Sequence, residues 1–331
     1  MNKILVTGGC GFIGSEFVRQ LVRRGYRVGV MDKLTYAGDL ARLRRVEGKY
    51  TFYKADICHS QSVDTVFRRF KPQVVAHFAA ETHVDRSILY AQTAVSTNLL
   101  GTQTVIDASR KYDVQKFVHI STDEVYGEIK KGYFSEATPL NPSSPYSAGK
   151  AAADLLIKAY TRTYKFPAVI IRPSNNYGPW QYPEKFMPVI IYKALKGEKV
   201  PVYAKGLNVR EWLYVSDCAA GVLAVMNKGR VGEVYNIGSG NEQRNIDVVK
   251  KVLAFLGKDH SLIEYVQDRP GHDIRYSLDF KKIKSEIGWK PKVGFEEGVV
   301  KTVEFYKENM KWLEKKAVRL KSYWKKVYKK I

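Results

Sequence analysis

The sequence predicts an α/β fold: a doubly wound parallel sheet with a smaller, mixed α/β portion covering it. Three observations carry this. Short β-branched runs alternate with helical patterns through the first half of the chain, and a glycine-rich loop joins the first run to the first helix. Past Arg172-Pro173 the texture turns irregular, with Pro179, Pro183 and Pro188 among many aromatics.

Taken in order, Ile4-Leu5-Val6 reads as a strand leading into a helix with Phe17, Val18, Leu21 and Val22 on one face. Strands follow at Val28–Met31, Thr51–Tyr53, Val74–His77, Phe117–Ile120 and Val169–Ile171. Strands separated by helices imply right-handed crossovers and a sheet covered on both faces. Tyr214-Val215 and Val234–Ile237 read as further strands, so the chain passes between the two portions more than once. The expected division assigns 1–174 and 208–236 to the sheet portion, 175–207 and 237–310 to the covering portion, and 311–331 to a basic amphipathic segment.

The 331 residues, 45% hydrophobic and 27% charged, have the composition of an ordinary globular protein rather than a disordered one. No apolar run reaches the roughly 18 residues of a membrane span. The N-terminal strand breaks into Thr7-Gly8-Gly9 too early for a signal-peptide core, so a cytoplasmic location is expected. Cys10, Cys58 and Cys218 are scattered, which argues against a disulfide framework and a zinc site. The net charge of +22 admits a nucleic-acid partner, an electropositive funnel for an anionic substrate, or a proteome-wide habit. Much of it sits in the last segment, where Lys315, Lys316, Arg319, Lys321, Lys325, Lys326, Lys329 and Lys330 interleave with Trp312, Leu313, Leu320, Tyr323 and Trp324. That pattern fits a helix packed on its own domain or on a partner subunit. A membrane-surface or nucleic-acid tail is the alternative.

Gly8, Gly11 and Gly14 follow the first strand and open the first helix. Such spacing allows a tight turn and presents helix amides to a pyrophosphate. Asp32 ends the second strand, where a carboxylate accepts hydrogen bonds from an adenosine ribose and repels a 2′-phosphate. NAD is therefore favoured over NADP, although Lys33 stands beside it. Asp56-Ile57, after the third strand, is placed to meet the adenine.

Ser121-Thr122-Asp123-Glu124 at the end of the fifth strand reads either as a capping box or as a reactive set. Its place at a ligand-facing strand end, with two adjacent carboxyls, favours the second reading. Tyr146 and Lys150, four apart, share a helix face, and an ammonium near the phenol favours phenolate. The chemistry available is hydride transfer followed by elimination. No metal site is expected at His77, His83 and Asp85, because His77 belongs to a buried strand.

These motifs resemble the extended short-chain dehydrogenase/reductases that act on nucleotide sugars and, within them, the dTDP-glucose 4,6-dehydratases. The resemblance runs from Lys3 to about Tyr306 and includes the blocks His77–Ser87, Arg172–Pro179, Asn208–Val215 and Asp268–Asp273. It implies a Rossmann-type sheet, a nucleotide-sugar-binding covering portion, NAD as cofactor, a nucleotide-diphosphate sugar as substrate, a homodimer through helices of the first portion, and no nucleic acid. Implied cofactor contacts are Gly8, Gly11, Phe12, Ile13, Gly14, Asp32, Lys33, Thr35, Asp56, Ile57, Ala79, Ala80, Asn98, Ser121, Tyr146 and Lys150. Implied substrate contacts are His83, Asp85 and Ser87 around the sugar, Asn175, and Asn176, Lys185, Arg210, Asn245, Arg269 and His272 at the diphosphate.

By the same resemblance, Thr122 orients the sugar 4-hydroxyl and Tyr146 takes its proton as C4 gives hydride to NAD. Glu124 then removes the C5 proton and a protonated Asp123 donates to the departing C6 hydroxyl. The Asp123-Glu124 pair separates this reading from UDP-sugar 4-epimerases and decarboxylases, which remain the alternative, as does a UDP-glucose dehydratase. From a different class, a nucleic-acid-binding protein that kept the fold is opposed by the intact reactive set. The chain departs from the family pattern at Glu211, usually Asp, and at Ser216-Asp217-Cys218, usually Glu-Asp-His. The tail after Asn309 lies outside that pattern.

Overall fold

The computed structural model describes residues 1–328. Of the basic C-terminal segment, Lys329, Lys330 and Ile331 lie outside the described residues. The chain opens with β1 (Lys3–Thr7), α1 (Phe12–Arg23), β2 (Arg27–Asp32), β3 (Tyr50–Lys54), α2 (Ser60–Phe70) and β4 (Val74–His77). It continues through α3 (Val84–Leu89), α4 (Ala91–Val95), α5 (Thr102–Lys111), β5 (Lys116–Ile120), α6 (Pro145–Tyr164), β6 (Ala168–Pro173) and β7 (Asn175–Tyr177). Then come α7 (Phe186–Leu195), β8 (Val200–Tyr203), β9 (Val209–Tyr214), α8 (Val215–Lys228), β10 (Val234–Ile237), β11 (Glu242–Arg244) and α9 (Asn245–Phe255). Last are β12 (Ile263–Val266), α10 (Lys281–Ile287), α11 (Phe295–Glu308), α12 (Met310–Val318) and α13 (Lys321–Val327).

Among the described residues the main sheet has seven parallel strands in the order β10-β6-β5-β4-β1-β2-β3. Its side chains alternate with the pleat. Ile4, Val6, Val28, Val30, Val118, Val169 and Ile171 face α1, α8 and α10. Leu5, Met31, Val75, Phe117 and Ile170 face α2, α5 and α6. Both faces are apolar because both are covered, at about 1.5–3 kcal/mol per fully buried large side chain. Strand order reverses between β1 and β4, and open α/β sheets leave a ligand crevice at that switch, beyond the carboxyl ends of the strands.

The covering portion holds a three-stranded sheet, β11-β9-β7, and the parallel pair β12-β8. Its core joins Val189, Ile190 and Ile191 of α7 to Val248, Val249 and Val252 of α9 and to Phe295, Val299 and Val303 of α11. Two expectations change here. Val215 is not in a strand, since β9 stops at Tyr214 and Val215 starts α8. And β9, expected with the sheet portion, pairs with β7 and β11 instead.

The C-terminal segment folds as α12 and α13 against its own protein, burying Leu313, Ala317, Leu320 and Trp324 in the core around α7. Its apolar side is thereby used internally, leaving Lys315, Lys321, Lys325 and Lys326 outward while Lys316 turns in to Asp39. A face spent this way is not available for insertion among lipids. No described helix is long and apolar enough to cross a membrane.

Candidate active site

At the switch point the backbone after β1 meets the backbone after β4. Gly8 has φ +67°, and a Cβ there would lie 2.6 Å from the amide nitrogen of Ala79. A Cβ on Gly14 would meet the Gly8 carbonyl oxygen even more closely. Only glycine fits either place. Gly11 is the N-cap of α1 and supplies no side-chain cap, so the first-turn amides of Phe12, Ile13 and Gly14 face the crevice. At the tip of β2, Asp32 Oδ2 accepts from the Cys10 amide at 2.9 Å and Oδ1 from the Leu34 amide at 2.8 Å. Each oxygen keeps a lone pair for a further donor. Burial pushes the Asp32 carboxyl up, against the pull of those two amides. Lys33 turns aside to Asp56 at 3.4 Å, leaving Asp32 as the charge at the strand tip. A glycine cradle, uncapped helix amides and a carboxylate at β2 suit a dinucleotide with free ribose hydroxyls.

The reactive set sits where β5 ends. Thr122, not Ser121, caps the short 3₁₀ turn Asp123–Tyr126: its Oγ1 accepts from the Glu124 amide at 3.3 Å and donates to Asp123 Oδ1 at 3.2 Å. The turn is pinned from below by buried Val125 and Tyr126, whose hydroxyl meets Asn236 at 2.8 Å and Arg172 at 2.9 Å. Arg172 is held in turn by Asp154 at 2.9 Å in a fully buried pair. With the apolar side chains below, both carboxyls line the crevice.

Their environments differ. Burial drives the Asp123 carboxyl well above the usual range, and the neighbouring Glu124 and Glu211 add to it. Glu124 is also raised by burial, but Arg269, Lys185 and Arg210 oppose the rise. Both carboxyls are thus raised, Asp123 with like charges adding to the rise and Glu124 with cations opposing it.

Helix α6 starts at a capping box, Ser144 with Ser147, with Pro145 at its first position. The Tyr146 amide donates to Ser87 Oγ at 3.1 Å, fixing the helix start against α3. Lys150 Nζ donates to the Ile120 carbonyl at 2.7 Å and lies 3.3 Å from His119 Nε2. Burial lowers Lys150 to about 8, with Asp154 opposing. The expected depression of the Tyr146 phenol is not what the structure shows. Burial and then the Glu124 charge push it up, against a hydrogen bond with Thr122, while Lys150 engages the end of β5.

The crevice is lined by Gly8, Gly11, Phe12, Ile13, Gly14, Asp32, Lys33, Thr35, Ile57, Ala79, Ala80, Ser121, Thr122, Asp123, Glu124, Tyr146, Lys150, Asn175, Asn176 and Lys185, all singled out in the sequence. Ser121 Oγ, Asp123 Oδ2, Asn175 Oδ1 and Asn176 Oδ1 are buried there without a protein partner, as groups reserved for a ligand are.

Other expected residues stand behind this wall. Asn98 does not line the crevice: its amide clamps the Glu81 backbone, accepting from its N–H at 2.8 Å and donating to its carbonyl at 3.0 Å. Asn245 is also away from the wall, at the start of α9 with its amide on the Asn208 carbonyl at 2.9 Å. Asp56 meets Lys33 rather than the crevice. His83 Nε2 donates to the Glu184 carbonyl at 3.1 Å, and Ser87 donates to the Val84 carbonyl at 2.7 Å. Asp85 accepts from Tyr203 at 2.9 Å and pairs with Arg269 at 3.3 Å. Arg210 donates to the Asp273 carbonyl at 2.9 Å, and His272 meets Asp268 at 2.6 Å. His77 bonds Thr7 and Thr102 inside the sheet. Glu211, a departure from the family pattern, is buried and accepts from the amides of Ser239, Gly240 and Leu278.

Sequence reasoning passed over Arg42, Glu81, Gln181 and Glu184, which also line the crevice. Glu184 accepts from Tyr36 at 2.9 Å and Arg86 at 2.7 Å. Its only signal was adjacency to Lys185.

The family model described as GDP-mannose 4,6 dehydratase matches residues 5–302. A dTDP-glucose 4,6-dehydratase of Streptomyces niveus is 47% identical over 320 residues, covering 94% of this chain and 95% of that one. Among solved structures, the dTDP-glucose 4,6-dehydratase of Streptomyces venezuelae with NAD bound superposes with a TM-score of 0.91 at 45% identity, over 93% of this chain and 98% of that chain. The UDP-glucose 4-epimerase of Thermus thermophilus, in complex with NAD, gives 0.87 at 33% identity, over 92% and 98%. The higher identity falls on the side of the dehydratases. By these matches and by the geometry of the crevice, the chain belongs to the GDP-mannose 4,6 dehydratase family and, within it, stands with the dTDP-glucose 4,6-dehydratases.

Proposed function

We propose that this protein is an NAD-dependent hydro-lyase that converts dTDP-glucose into its 4-keto-6-deoxy sugar. The observation that carries the reading is the Asp123-Glu124 pair: adjacent carboxyls on one pinned turn in the crevice, one raised by burial and like charges and one whose rise Arg269, Lys185 and Arg210 oppose. An epimerase has no use for such a pair, because its chemistry stops at C4.

NAD, when bound, accepts hydride from C4 and returns it to C6, so that the sugar is dehydrated without net redox. The protein supplies the proton traffic. Thr122 Oγ1 orients the 4-hydroxyl, and Tyr146, as phenolate, takes its proton and becomes the phenol. Because burial holds the phenol up, Tyr146 is a base only with cationic help, and Lys150 lies one turn along the same helix face. The 4-keto group acidifies C5–H, and Glu124 takes that proton. Asp123 gives its proton to the C6 hydroxyl, which leaves as water. Hydroxide is a poor leaving group, so the neutral acid is what makes the second half possible; help of this kind is worth on the order of 10²–10⁴ in rate. Gly8, Gly11 and Gly14 with Asp32 hold the cofactor. Asn176 and Lys185 in the crevice wall bring polar and positive groups to the diphosphate, with Arg210 and Arg269 adding positive charge from behind it.

The test is incubation of purified protein and NAD with dTDP-, UDP-, GDP- and CDP-glucose, reading product mass. Loss of one water with dTDP-glucose is the expected result. Intact sugar in every lane overturns the reaction, and water loss only with UDP-glucose moves the reading to the UDP-sugar dehydratase. Deuterium from solvent at C5 excludes simple epimerisation.

The functional unit we propose is a homodimer. Leu89, Tyr90, Val95 and Leu100 along 84–101, with Leu155 and Tyr164 of α6, are large apolar side chains left exposed on the first portion. Sedimentation at about twice the monomer mass is expected. The free cysteines, with Cys10 and Cys218 buried and unpaired, fit a cytoplasmic location.

A further inference from the structure

The last two helices lie beyond the stretch matched by the family model, yet they touch residues that brace the crevice wall on both sides. We propose that α12 and α13 form a strap whose Trp312/Lys316 end holds the cofactor-side turn and whose Tyr323 end holds the sugar-side cluster. The inference rests on the reading that the crevice takes NAD and a nucleotide sugar.

The strap is seated on the covering portion. Trp324 packs on Tyr192 of α7 with ring centroids 5.7 Å apart, and Trp312 meets Trp180 edge-on at 5.2 Å. From that seat it reaches across to the first portion. Trp312 Nε1 donates to Asp39 Oδ2 at 2.9 Å, and Lys316 Nζ reaches the same oxygen at 2.7 Å.

Asp39 is the hub of the cofactor-side turn. Its other carboxylate oxygen caps the 3₁₀ turn Leu40–Val46 by accepting from the Ala41 amide at 2.9 Å. Its own amide donates to the carbonyl of Cys10, inside the glycine loop, at 3.0 Å. From the same turn, Arg42 donates to that Cys10 carbonyl at 2.8 Å and to Ala37 at 2.5 Å, and its guanidinium lies 5.7 Å from the Trp312 ring centre. Ala37, Gly38 and Arg42 line the crevice. One carboxylate therefore separates the strap from the loop that cradles the cofactor.

The far end repeats the arrangement on the sugar side. The Tyr323 hydroxyl lies 3.3 Å from His83 Nδ1, the nitrogen left to accept because Nε2 donates to Glu184. The Tyr323 ring also stacks on the Arg86 guanidinium at 4.4 Å, and Tyr36 stacks on that guanidinium at 4.0 Å. Arg86, gripped by both rings, holds the Glu184 carboxylate in the crevice wall at 2.7 Å. A wall fixed in advance does not have to be ordered when ligand arrives, and affinity gains by that amount.

Two variants separate the ends. Trp312→Phe with Lys316→Met removes both donors to Asp39 while keeping apolar bulk in the seat. Tyr323→Phe removes only the hydroxyl on His83. In the NAD-loaded protein, exchange of bound for radiolabelled NAD is expected to run about tenfold faster in the first variant, with KM for dTDP-glucose unchanged. The second is expected to raise that KM about threefold, with kcat and NAD exchange unchanged. Asp39→Asn, which disturbs no seat residue, should reproduce the faster exchange. Wild-type exchange rates in both the Trp312/Lys316 variant and Asp39→Asn overturn the inference alone. A wild-type protein that binds neither NAD nor dTDP-glucose overturns the functional reading and this inference with it.

Discussion

Lys150 donates to the carbonyl of Ile120 at 2.7 Å, tying the helix that carries Tyr146 to the strand tip from which Thr122, Asp123 and Glu124 emerge. One buried ammonium thus ties together the residue that opens the proposed reaction and the pair that completes it. With Lys150 lowered to about 8 by burial, its charge is present below that pH and lost above it. The first hydride step is expected to slow as pH rises through about 8, and reduced-nicotinamide absorbance in a single turnover measures it. Lys150→Met should cost on the order of 10²-fold or more at neutral pH and abolish that pH limb.

On the proposed mechanism the carboxyl pair acts after the first hydride step. Asp123→Asn together with Glu124→Gln is expected to halt water loss while sparing that step. Quenched reactions should contain 4-keto sugar that still bears its C6 oxygen, together with reduced nicotinamide. Formation of 6-deoxy product by the double variant would remove both residues from the acid–base roles.

The pair Asp154–Arg172 is fully buried at 2.9 Å beneath Tyr126, and neither partner is expendable alone. Asp154→Asn leaves a buried guanidinium without its counter-charge and is expected to destabilise the fold by about 3–5 kcal/mol. The measurement is the denaturation midpoint in guanidinium chloride at unchanged slope.

Gly8→Ala places a methyl against the Ala79 backbone at a φ of +67°. Neither partner is a flexible side chain that could swing away. Loss of NAD binding is expected along with about 1–2 kcal/mol of backbone strain, and both are checked by NAD titration and thermal melting.

Asp39 gives an acid-side signature. Burial acts to raise its carboxyl, but Lys316, the Ala41 amide and Trp312 prevail and hold it at about 2, below its ordinary 3.8. A carboxyl lowered on folding stabilises the fold above its unfolded value, and that stabilisation fades as pH falls from about 4 toward 2. NAD exchange in the wild type should accelerate across that window, and Asp39→Asn should flatten the change.

What was legible in the sequence follows from range. The alternation of Ile4, Leu5 and Val6 between two covered faces is a local pattern, as is the step from Gly8 to Gly14, and both were readable. The reactive set was readable because a strand tip, a turn and one helical repeat bring it together. Asn98 stands behind the crevice wall because an amide's partner is decided by how π-wound residues 96–101 pack on Glu81, which no spacing announces. Arg42 sits in Leu40-Ala41-Arg42-Leu43-Arg44-Arg45, a run that reads as a solvated basic surface, yet it is almost fully buried. The Tyr146 phenol was expected lowered because helix geometry was visible and the depth of burial was not. The tail's basic pattern showed an amphipathic helix, but not that Asp39 was its target.

Trp312 and Asp39 stand 273 residues apart in the chain. During synthesis, β1, the glycine loop and Asp32 leave the ribosome long before the residue that braces the turn beside them. Contacts of much shorter range complete the cofactor cradle, Gly8 against Ala79 among them, whereas its outer wall waits for a contact of nearly the longest range the described chain can make. Such contacts form late and slowly. A partly made or clipped chain would thus display the dinucleotide loop without the grip that retains its occupant, and firm cofactor capture marks the end of folding rather than its beginning.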